Sequence, residues 1–262
     1  MDKKNYTDQM QRTVEVNSTV SRIVSLVPSQ TELLVDLGLR DKLVGITKFC
    51  VHPRGLKKEV QLIGGTKHVK VDLVKSLNPD LVIGNKEENN QTDIEELEKF
   101  LPTWMSDIFN LEDALEMIRE VGSLTGTSQK AEEIVSKIRQ NFSRLENLKR
   151  TNQTVLYLIW KNPYIAVGPN TFIDAMLTTL GFQNAIKEER YPEVEMTGLN
   201  PELIFLSSEP YPFKEKHIEE LQNQFPGSQV VLVDGEFFSW YGSRLIDAPA
   251  YFEELLNQIE AG

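Results

Sequence analysis

Apolar runs alternate along the chain with amphipathic stretches of helical spacing. In the first half, β-rich apolar runs fall at 23–27, 43–47, 62–63 and 81–83, and helical patterns at 31–37, 71–77, 92–100 and 111–122. The second half carries strand-like runs at 155–160, 203–206 and 229–233. Its helical patterns fall at 172–180, which Gly181 is placed to end, and from about 249 to 259. Such alternation predicts parallel sheets covered on both faces. The first 20 or so residues are polar and read as a loose arm or an edge strand.

The pattern repeats internally. Leu77-Asn78-Pro79-Asp80-Leu81-Val82-Ile83 is echoed by Leu199-Asn200-Pro201-Glu202-Leu203-Ile204-Phe205, 122 residues later. Ile94-Glu95-Glu96-Leu97 is echoed by Ile218-Glu219-Glu220-Leu221, 124 residues later. In each copy the proline ends a helix and fixes a turn, an apolar strand follows, and a helix returns. From 128 to 149 runs a helical pattern without Gly or Pro, with Ser128 or Thr127 as its N-cap. Its roughly 20 residues would span ~30 Å at 1.5 Å per residue. The prediction is an α/β fold of two Rossmann-like lobes with parallel sheets, joined by one long backbone helix. The amino-terminal lobe is placed at 1–127, the connecting helix at 128–150 and the carboxyl-terminal lobe at 151–262.

Composition narrows the function classes. With 28 basic and 39 acidic residues the formal charge is −11, so no nucleic-acid partner is held by bulk charge. The lone Cys50 makes no intrachain disulfide and no cysteine-rich zinc site. No run of about 18 apolar residues would span a membrane. The polar start lacks the apolar core of a secretion signal, which leaves a removed signal or a cytoplasmic protein as alternatives. Nucleophile-elbow, phosphate-loop, dinucleotide-turn and zinc-protease motifs are all missing, so no motif points to catalysis, an absence that does not itself exclude it. Cys50, His52 and His68 invite a metal reading, but no full ligand set assembles around them, so no dedicated metal site is expected. Cys50 is retained as a soft axial ligand to a metal carried by a bound molecule.

In open parallel sheets, ligands bind beyond the carboxyl ends of the strands. The residues placed there are Ser29; Lys48, Phe49 and Cys50; Thr66 and Lys67; Asn85 and Lys86; Trp160; Glu209; and Trp240, Tyr241 and Arg244. Aromatic faces with nearby cations suit a large, flat, partly apolar ligand with anionic groups. Trp240 is read as a ligand-facing platform, with Phe237 and Phe238 either core or platform. Ser29-Gln30-Thr31-Glu32 fits a capping box. His217 is read as lying on a solvent-facing helix.

These residues also carry a resemblance. Arg22-Ile23-Val24-Ser25-Leu26-Val27-Pro28-Ser29-Gln30-Thr31-Glu32, then Leu37-Gly38, Val44-Gly45-Ile46-Thr47, Pro53, Gly64-Gly65 and 77–83, resemble the helical-backbone substrate-binding proteins of ABC importers for cobalamin, haem and iron–siderophores. The resemblance covers roughly residues 20–260. It implies a non-enzymatic, periplasmic or cell-surface monomer that captures a cobalamin or other corrinoid, haem or a ferric siderophore in a cleft between lobes. It implies no resident cofactor and an ABC permease as partner. The tyrosine that cobalamin-binding members carry after the second strand falls at Phe49, and their cleft tryptophans fall near Thr66 and Asn85. The surface carboxylates that meet the permease fall at Asp72 and, in a shortened segment, at Glu195 or Glu193. That shortening keeps open a second reading, a cytoplasmic relative that senses or transforms a corrinoid or phosphorylated metabolite. A third reading is a direct zinc or manganese receptor using His52.

Overall fold

The computed structural model describes residues 2–145 and 152–261. The chain forms two compact units. One comprises Met1–Ile108, Glu112–Lys137 and Tyr241–Arg244; the other comprises Phe109–Leu111, Ile138–Trp240 and Leu245–Gly262.

The first unit opens with an antiparallel hairpin, β1 (Lys3–Thr7) and β2 (Thr13–Asn17), where an arm or edge strand was expected. Alternation in β2 explains it: Val14 and Val16 are buried while their neighbours face out. There follow β3 (Ile23–Ser25), α1 (Pro28–Asp36), β4 (Leu43–Ile46), β5 (Gln61–Leu62), α2 (Val71–Ser76), β6 (Leu81–Asn85), α3 (Gln91–Glu98) and β7 (Thr103–Ser106). The parallel sheet has the order β5-β4-β3-β6-β7. The direction of winding reverses between β3 and β6, and the carboxyl ends of these strands flank the place where such sheets take ligands. The pattern did not predict β7; Thr-Trp-Met-Ser offers no apolar run, although all four residues are buried.

Two helices, α4 (Leu111–Thr125) and α5 (Ser128–Phe142), follow β7. Gly122 permits their close approach, since a Cβ there would lie 2.5 Å from that of Ala131. The predicted stripe of α5 is buried at Ala131, Ile134, Val135, Ile138 and Phe142. The helix is 15 residues long, shorter than the 20 or so predicted, and gives way to a turn at Ser143. Predicted helix positions 146–149 lie outside the described residues.

The second unit contains β8 (Thr154–Trp160), β9 (Ile165–Ala166), α6 (Phe172–Thr179), β10 (Gln183–Asn184), β11 (Leu203–Ser207), α7 (Glu215–Gln224), β12 (Gln229–Val233), α8 (Gly235–Ser239) and α9 (Ala248–Ala261). Its parallel order is β10-β8-β11-β12, with β9 antiparallel on β8, and the winding reverses between β8 and β11. His217 is buried, contrary to the solvent-facing expectation. Its Nδ1 accepts the Lys214 amide at 2.9 Å, which caps α7.

The sequence repeat corresponds to β6-α3-β7 in one unit and β11-α7-β12 in the other. Its acidic residue plays one part twice. Asp80 Oδ2 accepts from the Ser21 amide (2.8 Å), Ser21 Oγ (2.7 Å) and the Arg22 amide (2.9 Å), at the entry to β3. Glu202 Oε2 accepts from the Thr154 amide (2.8 Å) and Thr154 Oγ1 (3.1 Å), at the entry to β8. Each residue also donates its own amide to the strand-entry carbonyl, Asp80 to Arg22 at 2.8 Å and Glu202 to Thr154 at 3.1 Å. The register beyond is Ile23 opposite Leu81 in one sheet and Val155 opposite Leu203 in the other. A one-residue slip would forfeit all of these bonds.

Burial works against the charge on Asp80, but the bonds from Ser21 and Arg22 prevail and hold its carboxyl below the ordinary value. A depressed carboxyl stabilises the fold above its unfolded pKa and loses that contribution as pH falls through the folded value. Asp80→Asn should therefore lower the unfolding free energy by about 1 kcal/mol at neutral pH, the low end for charged hydrogen bonds because the site is largely solvated. Urea titrations of both proteins should show the deficit narrowing on acidification. A pH-independent deficit would refute the role of the charge.

Candidate functional site

The first unit brings Ser29, Lys48, Phe49, Thr66, Lys67, Asn85 and Lys86 to or just beyond the carboxyl edge of its sheet, where they were placed from sequence. Lys48, Lys67 and Lys86 are exposed, and so is the aromatic of this edge, Phe49, with 50% of its surface open. Gly65 makes room for it, since a Cβ there would lie 3.1 Å from the ring, and Lys48 Nζ is 4.9 Å from the ring centre. The other cations of this edge are engaged. Lys67 donates to the Glu87 carbonyl, and Lys86 pairs with Asp107.

Several expected contacts serve the scaffold instead. Asn85 is buried; its Oδ1 accepts the Glu87 and Glu88 amides at 2.9 and 3.0 Å, and its Nδ2 donates to Ser106 Oγ at 2.9 Å. It ties the turn after β6 to β7 and has little capacity left for a ligand. Thr66, half-buried, gives its carbonyl to Asn89 Nδ2 at 3.0 Å. Cys50 is buried, with Sγ 3.1 Å from Thr31 Oγ1 and 3.3 Å from Thr47 Oγ1. Burial pushes its thiol up, against the pull of those hydroxyls. A covered, protonated thiol does not fit the axial-ligand role.

The capping box does not form. The N-cap of α1 is Val27, with Pro28 in the first turn, Ser29 buried and no side-chain cap. Glu32 instead takes Arg244, whose Nε reaches Oε2 at 3.0 Å and Nη2 reaches Oε1 at 2.7 Å. Arg244, expected as a cation for ligand anions, is neutralised within this unit. Burial pushes the Glu32 carboxyl up despite Arg244, whose charge and hydrogen bonds pull it down. Gly242 belongs to the same segment: a Cβ there would lie 3.0 Å from the Ser29 carbonyl oxygen. Tyr241, expected to face ligand, is buried.

In the second unit, Trp160 ends β8 with 40% of its surface open, and Tyr211 meets it edge-on at 5.7 Å. Neighbouring Lys161 pairs with Glu220. Trp240 is buried rather than open, with Nε1 donating to Glu209 Oε1 at 2.9 Å. The cause is local: 235–239 coils into α8, which turns Phe238 into a core with Tyr157, Phe205 and Phe252 and stacks Phe237 on Tyr251. Among the described residues no three His, Cys, Asp or Glu side chains converge to hold a metal ion.

Sequence reasoning missed the Glu32–Arg244 pair, whose members are 212 residues apart with no local signal. It also missed Asp107, because β7 went unseen. Tyr211 was within reach as an aromatic just past a predicted strand.

A model of the family described as periplasmic binding protein matches residues 23–227. The chain belongs to that family. Among curated relatives, an uncharacterised ABC transporter substrate-binding lipoprotein of Bacillus subtilis is 26% identical, covering 96% of this chain and 84% of its own. A vitamin B12-binding protein of Vibrio parahaemolyticus is 25% identical over 73% of this chain and 72% of its own. Among solved structures, a periplasmic vitamin B12-binding protein of Vibrio cholerae superposes with a TM-score of 0.76 at 20% identity, covering 91% of this chain and 99% of that one. A periplasmic heme-binding protein of Pseudomonas aeruginosa gives 0.77 at 23% identity, covering 90% and 92%. These likenesses bear out the two-lobed α/β fold and the resemblance read from the sequence. The family is one of substrate-binding proteins, and no helix among the described residues is long and apolar enough to cross a membrane.

If the Glu32–Arg244 pair is structural, Arg244→Ala leaves a poorly solvated carboxylate without its partner and should cost about 2–3 kcal/mol of stability. Adding Glu32→Gln to that variant should recover at least ~1 kcal/mol. A double-mutant cycle by urea unfolding checks this, and strict additivity would contradict it.

Proposed function

We propose that this protein is the substrate-binding component of an ABC importer and captures a corrinoid or iron-chelate ligand, such as cobalamin, haem or a ferric siderophore. The observation that carries the reading is the pair of exposed aromatics, Phe49 and Trp160, each at the carboxyl edge of a parallel sheet. Among the described residues, two other large apolar side chains are as open. Val51 adjoins Phe49, and Phe100 follows α3 toward the opposite edge, under Lys75. Open aromatic faces cost free energy in water and are repaid by stacking on a flat, partly apolar ligand. The relatives' names for vitamin B12 and heme support that ligand class. The protein works on the outer side of the membrane as a monomer, without a resident cofactor and without catalysis.

Titrating cyanocobalamin, haemin and ferric siderophores while following tryptophan fluorescence tests the ligand class. Trp160 is the exposed tryptophan, Trp104 and Trp240 being buried, so Trp160→Phe should reduce the response. Phe49→Ala and Trp160→Ala should each weaken binding by about 5- to 50-fold, or ~1–2 kcal/mol. No response to any of these ligands would sink the class.

For docking, we assign Asp72, exposed in the first turn of α2, and Glu195, exposed in the irregular stretch before β11, as the carboxylate by which each unit meets the permease. Asp72→Ala and Glu195→Ala should leave ligand affinity unchanged and lower, several-fold, the stimulation of the transporter's ATPase by loaded protein. Undiminished stimulation would remove both residues from that role.

A further inference from the structure

Glu209 stands just past β11, at the reversal point of the second sheet. Its surroundings hold it in one place. Ser207 Oγ donates to its carbonyl at 2.6 Å, while Ser239 Oγ (2.8 Å) and Trp240 Nε1 (2.9 Å) both donate to Oε1. The absence of a side chain at Gly235 is part of the fit, because a Cβ there would lie 2.9 Å from Glu209 Cγ.

What the carboxylate lacks is a counter-charge. Among the described residues, Oε2 accepts no hydrogen bond and no lysine, arginine or histidine pairs with Glu209. Its charged neighbours, Glu236 and Asp234, have the same sign. Burial first, and then these two carboxylates, raise the Glu209 carboxyl above its ordinary value against the pull of Ser239 and Trp240. A scaffold gains little from a half-buried acid without a cation. The arrangement gains its use when something arrives that donates to Oε2.

We propose that Glu209 is a specificity-determining residue, accepting a hydrogen bond at Oε2 from an uncharged N–H or O–H donor of the ligand and turning away ligands that present a carboxylate there. This rests on the ligand class read from Phe49 and Trp160, and it divides that class. A corrinoid is fringed with carboxamides, whose N–H groups are such donors, whereas haem carries two propionates. A carboxylate of the protein therefore favours the first and repels the second, discrimination by contact and by repulsion together. Trp240, first read as a platform, becomes the positioning residue that orients this acid.

The test measures dissociation constants of cyanocobalamin and haemin by equilibrium dialysis for the wild type, Glu209→Gln and Glu209→Asp, with thermal unfolding to show that each variant is folded. The wild type should favour the corrinoid by at least about tenfold. Glu209→Gln should shift the ratio toward haem by about tenfold or more, roughly 1.4 kcal/mol. Glu209→Asp, which keeps the charge but shortens the reach, should weaken the corrinoid while still rejecting haem, and it carries the test if the glutamine variant fails to fold. A wild-type preference for haem, or a ratio that stays within twofold in the folded variants, overturns the inference and leaves the ligand class standing. Binding of neither compound by the wild type overturns the inference, and the ligand class falls with it when ferric siderophores fail to bind as well.

Discussion

Everything about the candidate site depends on the register of one strand pair in each sheet. Parallel strands have no hairpin to set their alignment, so something else must fix where β6 begins against β3 and β11 against β8. Here a carboxylate just before the later strand grasps the backbone at the entry of the earlier one, Asp80 at Ser21 and Arg22, Glu202 at Thr154. These strands flank the reversal of winding in each sheet, so the same bonds decide which residues emerge at the carboxyl edge. Moving β11 by one residue would exchange Glu209 for a neighbour whose side chain faces the other way.

This explains why so much of the fold was legible. The repeated Asn-Pro-acidic turn marks a strand start by chain stiffness, a side-chain bond and an apolar run together, and all three recur 122 residues later. The same repeat carried information left unused. The segment after 218–221 leads into β12, an evident apolar strand, so the segment after 94–97 should lead into a strand as well. It does, as β7, whose threonine, tryptophan, methionine and serine lack the look of one because a strand covered on both faces needs only burial, not uniform apolarity. The amino-terminal hairpin escaped for a related reason: two valines two apart are a weak period-2 signal in a polar stretch.

The site was legible in position but not in exposure. Placing residues beyond strand ends requires only the order of elements, whereas deciding which of them stay open requires knowing their partners, and these come from far along the chain. Arg244 meets Glu32 across 212 residues. Trp240 meets Glu209 across 31, and Lys86 meets Asp107 just past a strand the pattern did not show. The cluster Phe237, Phe238, Trp240 and Tyr241 misled because closely spaced aromatics suggest a loop platform, while a single helical turn distributes them between core and cap.

The charge picture inverts as a result. Read from sequence, an acidic protein offered lysines and an arginine at its strand ends, which suited an anionic ligand. In the structure Arg244 is neutralised by Glu32 and Lys86 by Asp107, and Lys67 is spent on a backbone carbonyl. Lys48, close to the ring of Phe49, is the cation of that edge least absorbed by the scaffold. The second sheet contributes an acid, Glu209, near Asp234 and Glu236. On the proposed reading, each edge would hold a ligand chiefly through apolar faces and hydrogen bonds, with charge acting as a filter on what is admitted. A neutral, amide-fringed macrocycle meets those terms with less electrostatic penalty than a dianion of similar size.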